Sequence, residues 1–586
     1  MTNFEIKTSP FHLGAINTLA QQDSKLNDWP VVYTISNQKL IYIGETTSAT
    51  NRMTNHKASA TKKNLKEVRI ILHSKFNKSA CHDLESHLIK YFHADGKYRV
   101  MNSNAGMSDY DYFDREEYRK SFQEIFEELR SQGLMTRSIP DIVNDNIFKY
   151  SPFKSLSHDQ ALAMESVLET LLPSDSTAQE NQIVIQGGPG TGKTIVAVYL
   201  MKLLKDIANC EPGEELDIDS LFSDFFQPGY KDVLRDWRIG LVIPQQSLRK
   251  TIQKVFRSIP GLSPKMVLSP FDIGKSNEKW DLLIVDEAHR LKIRANMSAP
   301  TLNTQFGEIN DKLFGKGSAS NCSITQLDWI EIQSRNQILL MDSSQSVMPS
   351  DLTLEAIMSL QQRAKDDHKL FTLETQLRVQ GGKEYIDYVS SVIDQDNPKP
   401  KKNFGEYDCR LFENLDDMIE TIRARESELG LARLAAGFAW KWVTKARKGK
   451  KIKALFDIEI DGKKLSWNKA ETDWINSTTA IEEVGSIHTI QGYDLNYCGV
   501  IIGKDLYLDE ADGKIKFSRE NYFDPKGKEN NKKCGITYTD EDLLVYVKQI
   551  YRVLLTRGIY GTYIYVCDSA LRDYLAKYFP LYRSAG

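Results

Sequence analysis

The run Gly187-Gly188-Pro189-Gly190-Thr191-Gly192-Lys193-Thr194 places four glycines, an ammonium group and two hydroxyls within eight residues. An apolar run, QIVIQ at 182–186, precedes it, and the good helix formers IVAVYLMKLLKDI follow its lysine and threonine. Glycines in that pattern let successive backbone N–H groups close around phosphate oxygens at the positive end of a helix. Lys193 then meets the β- and γ-phosphates of a nucleoside triphosphate, and the Thr194 hydroxyl ligates magnesium. Downstream, Asp286 and Glu287 close an apolar strand in LLIVDEAHR. A carboxylate at the C-terminal edge of a parallel strand faces the ligand crevice. There Asp286 holds the magnesium and Glu287 polarises the attacking water as general base.

Positioning these groups takes buried parallel strands. Apolar runs alternate with helical patterns at QIVIQ (182–186), GLVIP (240–244), LLIVDE (282–287), QILLMD (337–342), GVIIG (499–503) and YIYVCD (563–568). Near-continuous apolar runs joined by helices indicate an α/β architecture with strands covered on both faces. Upstream, VVYTI (31–35), LIYIG (40–44) and VRIILH (68–73) read as short strands, and Ala80 to Phe92 as a helix. From Arg52 to Val100 eleven Lys/Arg stand against four Asp/Glu, a locally basic surface. Residues 113–132 predict one amphipathic helix with Tyr118, Phe122, Ile125, Phe126 and Leu129 on one face and Gly133 as its stop, read as a connector. The acidic stretch 211–235 and the polar stretch 508–541 read as surface insertions.

Composition bounds the possibilities. The 586 residues carry 76 Lys+Arg and 79 Asp+Glu, a net charge of −3, with 41% hydrophobic residues, which excludes global disorder and a wholly basic nucleic-acid binder. No apolar run of about 18 residues occurs, so no membrane-spanning helix is expected. The N-terminal MTNFEIKTSPFHLGAINTLA lacks a basic stretch followed by an apolar core, which argues against secretion. Seven scattered cysteines without a CxxC argue against a disulfide framework or zinc site and for a cytoplasmic location.

The segment from about 154 to 580 resembles a superfamily-one helicase motor, specifically the Schlafen-like bacterial ATPase group. LSHDQ (156–160) resembles the adenine-reading motif, with Gln160 as reader. PQQSL (244–248) resembles the motif that contacts single strands, and MDSSQ (341–345) the third motif, whose Asp342 and Gln345 sense the γ-phosphate. LETQLR (373–378) resembles the fourth, with Arg378 reaching the phosphates. SIHTIQGYDLNYCGVII (486–502) resembles the fifth, with Gln491, Gly492 and Asp494, and YRVLLTRGIYG (551–561) the sixth, with Arg557 as arginine finger. The resemblance implies ATP and magnesium as cofactors. It also implies two RecA-like parallel-sheet lobes, 154–350 and 351–586, the second carrying the 508–541 insertion. Residues 441–453 hold seven Lys/Arg and no acid, a candidate phosphate-contacting patch near Trp440 and Trp442.

VVYTISNQKLIYIGETTSATNRMTNHK (31–57) resembles the GIY-YIG endonuclease domain, a small α/β module expected over 1–110, with 111–153 as a helical linker. Its triplets are Val31-Val32-Tyr33 and Tyr42-Ile43-Gly44; Val31 stands where the family has glycine. Arg52 and His56 lie eight and twelve residues after Gly44, and being four apart they share a helical face. Glu85 and Asn102 follow as in the family. The resemblance implies a magnesium held by Glu85, Arg52 donating to phosphate oxygens, and Tyr33, helped by His56 or Tyr42, activating water; Asn102 holds the site together. His73, His82, His87 and His93 read as surface residues. Together the two resemblances imply an ATP-driven motor coupled to a metal-dependent nuclease. The expected substrate is DNA in preference to RNA, in bacterial defence against phage. A regulatory ATP switch without unwinding, or a repair role, stays open. Protein partners and oligomeric state are not readable.

Overall fold

A computed structural model describes residues 3–59, 61–102, 112–153, 156–172, 180–210, 222–295, 300–342, 345–444, 456–470, 474–490 and 493–583. The chain forms two compact units. One comprises Met1–Glu165, Val198–Arg235 and Ser258–Gly261, the other Ser166–Ala197, Asp236–Arg257 and Leu262–Gly586.

The first unit is built on strands β1 (Phe4–Pro10), β2 (Val31–Ser36), β3 (Leu40–Thr46), β4 (Glu67–His73) and β5 (Arg99–Val100), in sheet order β1-β4-β2-β3-β5. β-Branched and aromatic side chains suit the pleated surface of β2, which is buried throughout. Pairing is antiparallel except between β3 and β5. β1 was not expected: it is an edge strand with only Ser9 buried, so it carries no apolar signal. The helix Lys78–Asp95 starts where the Asn77 side chain accepts from the Ala80 N–H and ends at Gly96, whose φ of +75° favours glycine. The amphipathic helix runs Arg115–Ser131 and buries the five expected residues. It shares one apolar core with the helix Lys78–Asp95, Tyr91 meeting Phe126 edge-on at 5.2 Å, so it is part of this module and not a bare connector. His73 and His93, expected at the surface, are buried, His73 stacked on Phe76 and His93 edge-on to Phe153.

The second unit holds two RecA-like sheets. The first contains β6 (Gln182–Gly187), β7 (Ile239–Val242), β8 (Val267–Leu268), β9 (Trp280–Val285), β10 (Ser334–Met341) and β11 (Leu370–Leu373), ordered β11-β6-β10-β9-β7-β8 and parallel throughout. β11 lies past the lobe boundary expected near residue 350 and pairs with β6. The second sheet contains β12 (Asp408–Phe412), β13 (Ala432–Ala436), β14 (Ile458–Ile460), β15 (Lys463–Trp467), β16 (Glu483–Ser486), β17 (Leu495–Ile502) and β20 (Gly558–Val566). Its order is β12-β20-β17-β13-β16-β15-β14, and only β14 with β15 is antiparallel. Every residue of β17 is buried, as are Ile183, Val184 and Ile185 in β6; each such Val, Ile or Leu contributes about 1.5–3 kcal/mol over an exposed position.

The 508–541 stretch is more than a surface excursion. It opens with a hairpin of β18 (Leu506–Asp509) and β19 (Lys514–Phe517), and its far end lies on the first lobe: Asn531 Nδ2 donates to the Arg294 carbonyl at 2.7 Å, and the Tyr538 hydroxyl donates to Pro349 O at 3.2 Å. Cys534 in this stretch is disulfide-bonded to Cys322 of the first lobe. The scattered cysteines argued against a disulfide framework, and this one bridge departs from that expectation. The two cysteines are 212 residues apart, and only the tertiary fold brings them together. Among the described residues no helix is long and apolar enough to cross a membrane.

Candidate active sites

In the first unit, β2 and β3 pair so that Tyr33 lies opposite Gly44. A Cβ at Gly44 would overlap the Tyr33 hydroxyl, which explains the glycine there. The helix Ala49–Ala58 carries Arg52 and His56, and the buried His56 Nε2 lies 2.7 Å from the Tyr33 hydroxyl. The Lys62 ammonium lies 3.2 Å from His56 Nδ1 and 3.7 Å from the Tyr42 ring centre. An ammonium only donates, so Nδ1 accepts, and the neutral ring is assigned its proton on Nε2, from which it donates to the Tyr33 oxygen. Burial, reinforced by the charges of Lys62 and Arg52, lowers the His56 pKa to about 3, so the ring is neutral near pH 7. Burial pushes the Tyr33 phenol well above its ordinary value, Tyr42 adds to this, and Arg52 hydrogen-bonds it and pulls the other way.

Tyr42 meets His56 edge-on at 4.9 Å, while its ring centre is 6.3 Å from that of Tyr33. Asn102 grips β3 with both amide atoms: Oδ1 accepts from the Ile43 N–H at 3.1 Å, and Nδ2 donates to the Ile43 carbonyl at 2.9 Å. Glu85, on the helix Lys78–Asp95, is close enough for its charge to raise Tyr33. One Glu85 oxygen is 3.8 Å from His82 Nδ1, and Glu45 is 3.6 Å from the other His82 nitrogen. The structure thus brings Tyr33, Tyr42, Arg52, His56 and Glu85 together, with Lys62 as a member that motif spacing did not supply. A basic residue in the loop after the Arg/His helix was the available signal.

In the second unit the glycine-rich loop joins β6 to the helix Lys193–Asn209. Gly190 and Gly192 adopt φ of +80° and +79°, which side-chain-bearing residues rarely take. The Lys193 ammonium donates to the carbonyls of Gly187 and Gly188 at 2.8 and 2.9 Å and lies 3.7 Å from Asp342. Thr191 donates to Gly188 O at 3.0 Å. Pro189 also takes part, its carbonyl accepting from Gln376.

At the end of β9 the Thr194 hydroxyl donates to Asp286 at 2.7 Å. Burial raises the Asp286 carboxyl, and the neighbouring Glu287 adds to this, so the pair favours a cation beside it. Thr194 and Asp286 are the hard-oxygen pair that suits magnesium completed by phosphates and water. Among the described residues no cluster of three or more His, Cys, Asp or Glu forms a protein cage. Glu287 has φ of +52°, and one of its oxygens is 3.1 Å from His289 Nε2. His289 Nδ1 accepts from the Asp342 N–H at 3.2 Å, and Gln345 donates to Asp342 at 2.6 Å, which links the carboxylate pair to the end of β10.

The segment after β11 packs over the glycine-rich loop. The Leu377 N–H donates to Gly190 O at 3.0 Å, and the Arg378 N–H donates to Gln376 Oε1 at 2.8 Å. The Arg378 guanidinium is ion-paired with Asp494 of the second lobe. Arg557, in the turn before β20, is buried and donates to Tyr493 O at 3.3 Å, one residue from Asp494. Gln245, from the PQQSL segment, accepts from Arg290 at 3.2 Å and donates to His488 O at 3.5 Å, joining the first lobe to the fifth-motif segment. Gln160 lies in the first unit, buried, its Oε1 accepting from the Ser157 N–H. Gln491, Gly492 and most of the basic run 441–453 lie outside the described residues. Gln376 and His289, which motif assignment passed over, are the residues that tie the motifs together.

The family model described as "Schlafen group 3, DNA/RNA helicase domain" matches residues 180–568, and the GIY-YIG catalytic domain model matches 30–99. A protein of Saccharomyces cerevisiae, "Uncharacterized protein YPL245W", is 25% identical over 451 residues, covering 72% of this chain and 91% of its own. Mss116p bound to ssRNA and AMP-PNP aligns with a TM-score of 0.31 at 13% identity, over 78% of each chain. Bacteroides Pif1 bound to ssDNA aligns with a TM-score of 0.25 at 10% identity, over 70% of this chain and 92% of that one. The matched helicase model spans well over half the sequence, and the chain belongs to the Schlafen group 3 helicase family, with a GIY-YIG nuclease domain ahead of the helicase domain.

Proposed function

We propose that this protein is an ATP-driven nucleic-acid motor that supplies substrate to its own magnesium-dependent endonuclease, with DNA as the polymer cut. The observation that supports this reading is two separate side-chain constellations suited to phosphate chemistry, Tyr33–His56–Lys62 with Arg52 and Glu85, and Lys193–Thr194–Asp286–Glu287 with Arg378.

In the nuclease, Tyr33 draws a proton from the attacking water as the phenolate, its own proton having passed to solvent; the N–H groups of His56 and Arg52 donate to its oxygen and stabilise the negative charge that burial disfavours. Arg52 also presents its remaining N–H groups to the scissile phosphate. Glu85 would hold a divalent cation, which would supply charge neutralisation to the cleavage. In the motor, Gln160 reads the base, backbone N–H groups of 187–192 cradle the phosphates, and Lys193 leaves its two carbonyls for them. Glu287 accepts the proton of the hydrolytic water, while Gln345 lines the γ-phosphate side; Gln491 and Gly492 are assigned to nucleotide binding by their place in the fifth motif of the sequence alone. Arg378 and Arg557 neutralise the charge that develops in transfer, and closing the lobes around the nucleotide moves the surfaces that grip the strand. Attack on invading DNA is the biological setting this reading assigns.

Purified protein should cut DNA only with a divalent cation and hydrolyse ATP faster when nucleic acid is present. Cleavage that survives in both Glu85→Ala and Tyr33→Phe would sink the nuclease assignment. ATP turnover indifferent to every single-stranded, duplex, forked and RNA substrate would make the helicase domain a switch instead of a motor.

A further inference from the structure

The Cys322–Cys534 bridge joins the two halves of the motor. Cys322 precedes the helix Gln326–Gln333 between β9 and β10 of the first lobe, and Cys534 lies in the insertion that leaves the second sheet after β17. Their Cα atoms are 5.7 Å apart, within the ordinary range for a bridge. Among the described residues the strap also meets the first lobe through polar contacts, Asn531 on Arg294 O and Tyr538 on Pro349 O, and through an apolar cluster that holds Tyr538 together with Val347 and Met348. Beneath it a cavity of about 190 Å³ remains, lined by Lys292 and Met348 on one side and Lys526 and Asn530 on the other. The cavity leaves the strap incompletely packed on the first lobe, and the bridge is its covalent tie there.

We propose that Cys322 and Cys534 form a redox modification site, a latch that locks the two motor lobes together when oxidised and releases them when reduced. It rests on the motor reading above, because only an engine that works by lobe movement is stopped by a cross-lobe bond. Cys322 and Cys534 are half-buried residues, as are Cys210 and Cys567, whereas Cys81, Cys409 and Cys498 are buried. The neighbourhood is cationic: beside Cys534, burial and then the charges of Arg294 and Lys526 lower the Lys533 pKa. Cations beside a thiol favour the reactive thiolate.

The oxidant class is a peroxide. The Cys534 thiolate attacks the peroxide O–O bond, giving a sulfenic acid and one water. The Cys322 thiolate then attacks the Cys534 sulfur and displaces the second water. Two thiols and one peroxide become one disulfide and two waters, and two electrons pass from sulfur to oxygen. A thiol reductant reverses the bond by exchange.

The test compares nucleic-acid-stimulated ATP turnover of the full chain after reduction, after hydrogen peroxide, and after re-reduction, with peptide mapping of the bridge in each state. Peroxide should form the 322–534 linkage and cut turnover about tenfold, with full recovery on reduction. Cys322→Ser and Cys534→Ser should match the reduced protein under all three treatments. A mapped bridge with undiminished turnover overturns the latch, as does peroxide treatment that leaves these two cysteines unlinked. Turnover absent even in the reduced protein brings down the motor reading and the latch together, a result distinct from either of those.

Discussion

The nuclease site and the motor site manage their charges in opposite ways. The first is drawn from one stretch, residues 33–85, on two adjacent strands and two helices, and its groups are already engaged with one another in a working order: Lys62 to His56 to Tyr33. The second gathers residues from Gly187 to Arg557, and its charges are spent on internal partners, Lys193 on the carbonyls of Gly187 and Gly188 and Arg378 on Asp494. A cutting site built to act on whatever arrives can be preorganised. A motor site has to exchange internal pairs for nucleotide pairs on each cycle, and that exchange is what couples chemistry to movement.

If the two sites are independent, each should fail alone. Tyr33→Phe removes the hydroxyl on which His56 and Arg52 converge and should lower cleavage about 10²–10⁴-fold while leaving ATP turnover unchanged. Gel assays of end-labelled DNA beside phosphate release would show it. The reciprocal variant, Lys193→Ala, should lower ATP turnover about 10²–10³-fold and leave metal-dependent cutting of a short duplex at the native rate. Loss of both activities in either variant would mean that the centres are energetically linked and the contrast drawn above is false.

A smaller effect probes the order of donors in the nuclease. Lys62→Met removes the cation that, after burial, does most to hold His56 near a pKa of about 3. The His56 pKa then rises toward 6.5, and its Nδ1 loses the donor that sets the tautomer. Cleavage at neutral pH should drop about tenfold, and the acid limb of the pH–rate profile should move upward. The native protein has the complementary stability signature. His56 stays neutral in the fold below 6.5 while the unfolded chain takes up a proton, so stability is whole above pH 6.5 and declines as pH falls toward 3. An unmoved acid limb in Lys62→Met would reduce Lys62 to a structural cation.

These predictions lean on residues of unequal legibility. The glycine-rich loop and the Asp286–Glu287 pair could be read because phosphate and magnesium chemistry constrains residue type at short spacing, whereas the Tyr33–Arg52–His56–Glu85 set was read through its resemblance to the GIY-YIG domain. Six strands of the two RecA-like sheets, β6, β7, β9, β10, β17 and β20, announced themselves as apolar runs because they are covered on both faces, whereas β8 and β12 to β16 carried no run that was read. β1 was silent because an edge strand buries little. β11 has a single buried residue, Leu373, so its membership in the first sheet is decided by pairing with β6, which no local pattern reports. Gln376, Lys62 and the Cys322–Cys534 bridge belong to the same class: their partners are fixed by tertiary approach, and side chains alone do not name them. His73 and His93 were misjudged because an imidazole buried against aromatic rings looks, in sequence, like one in water.

The smallest expected effect bears on whether the motor's charges are truly parked. Asp494 holds Arg378 by an ion pair that is partly exposed on both sides. Such a pair contributes about 0–1 kcal/mol, and ATP has to displace it before Arg378 can reach phosphate. Asp494→Asn keeps the shape and removes the competing charge, so apparent affinity for ATP should rise by up to about fivefold, and the gain should fade as salt screens the native pair. Arg378→Ala on top of Asp494→Asn should erase the gain, since the two act through one contact. A fall in affinity in Asp494→Asn would mean the reverse, that Asp494 aims Arg378 at the nucleotide; the motor site would then be preorganised like the nuclease, and lobe movement would need another source of bias.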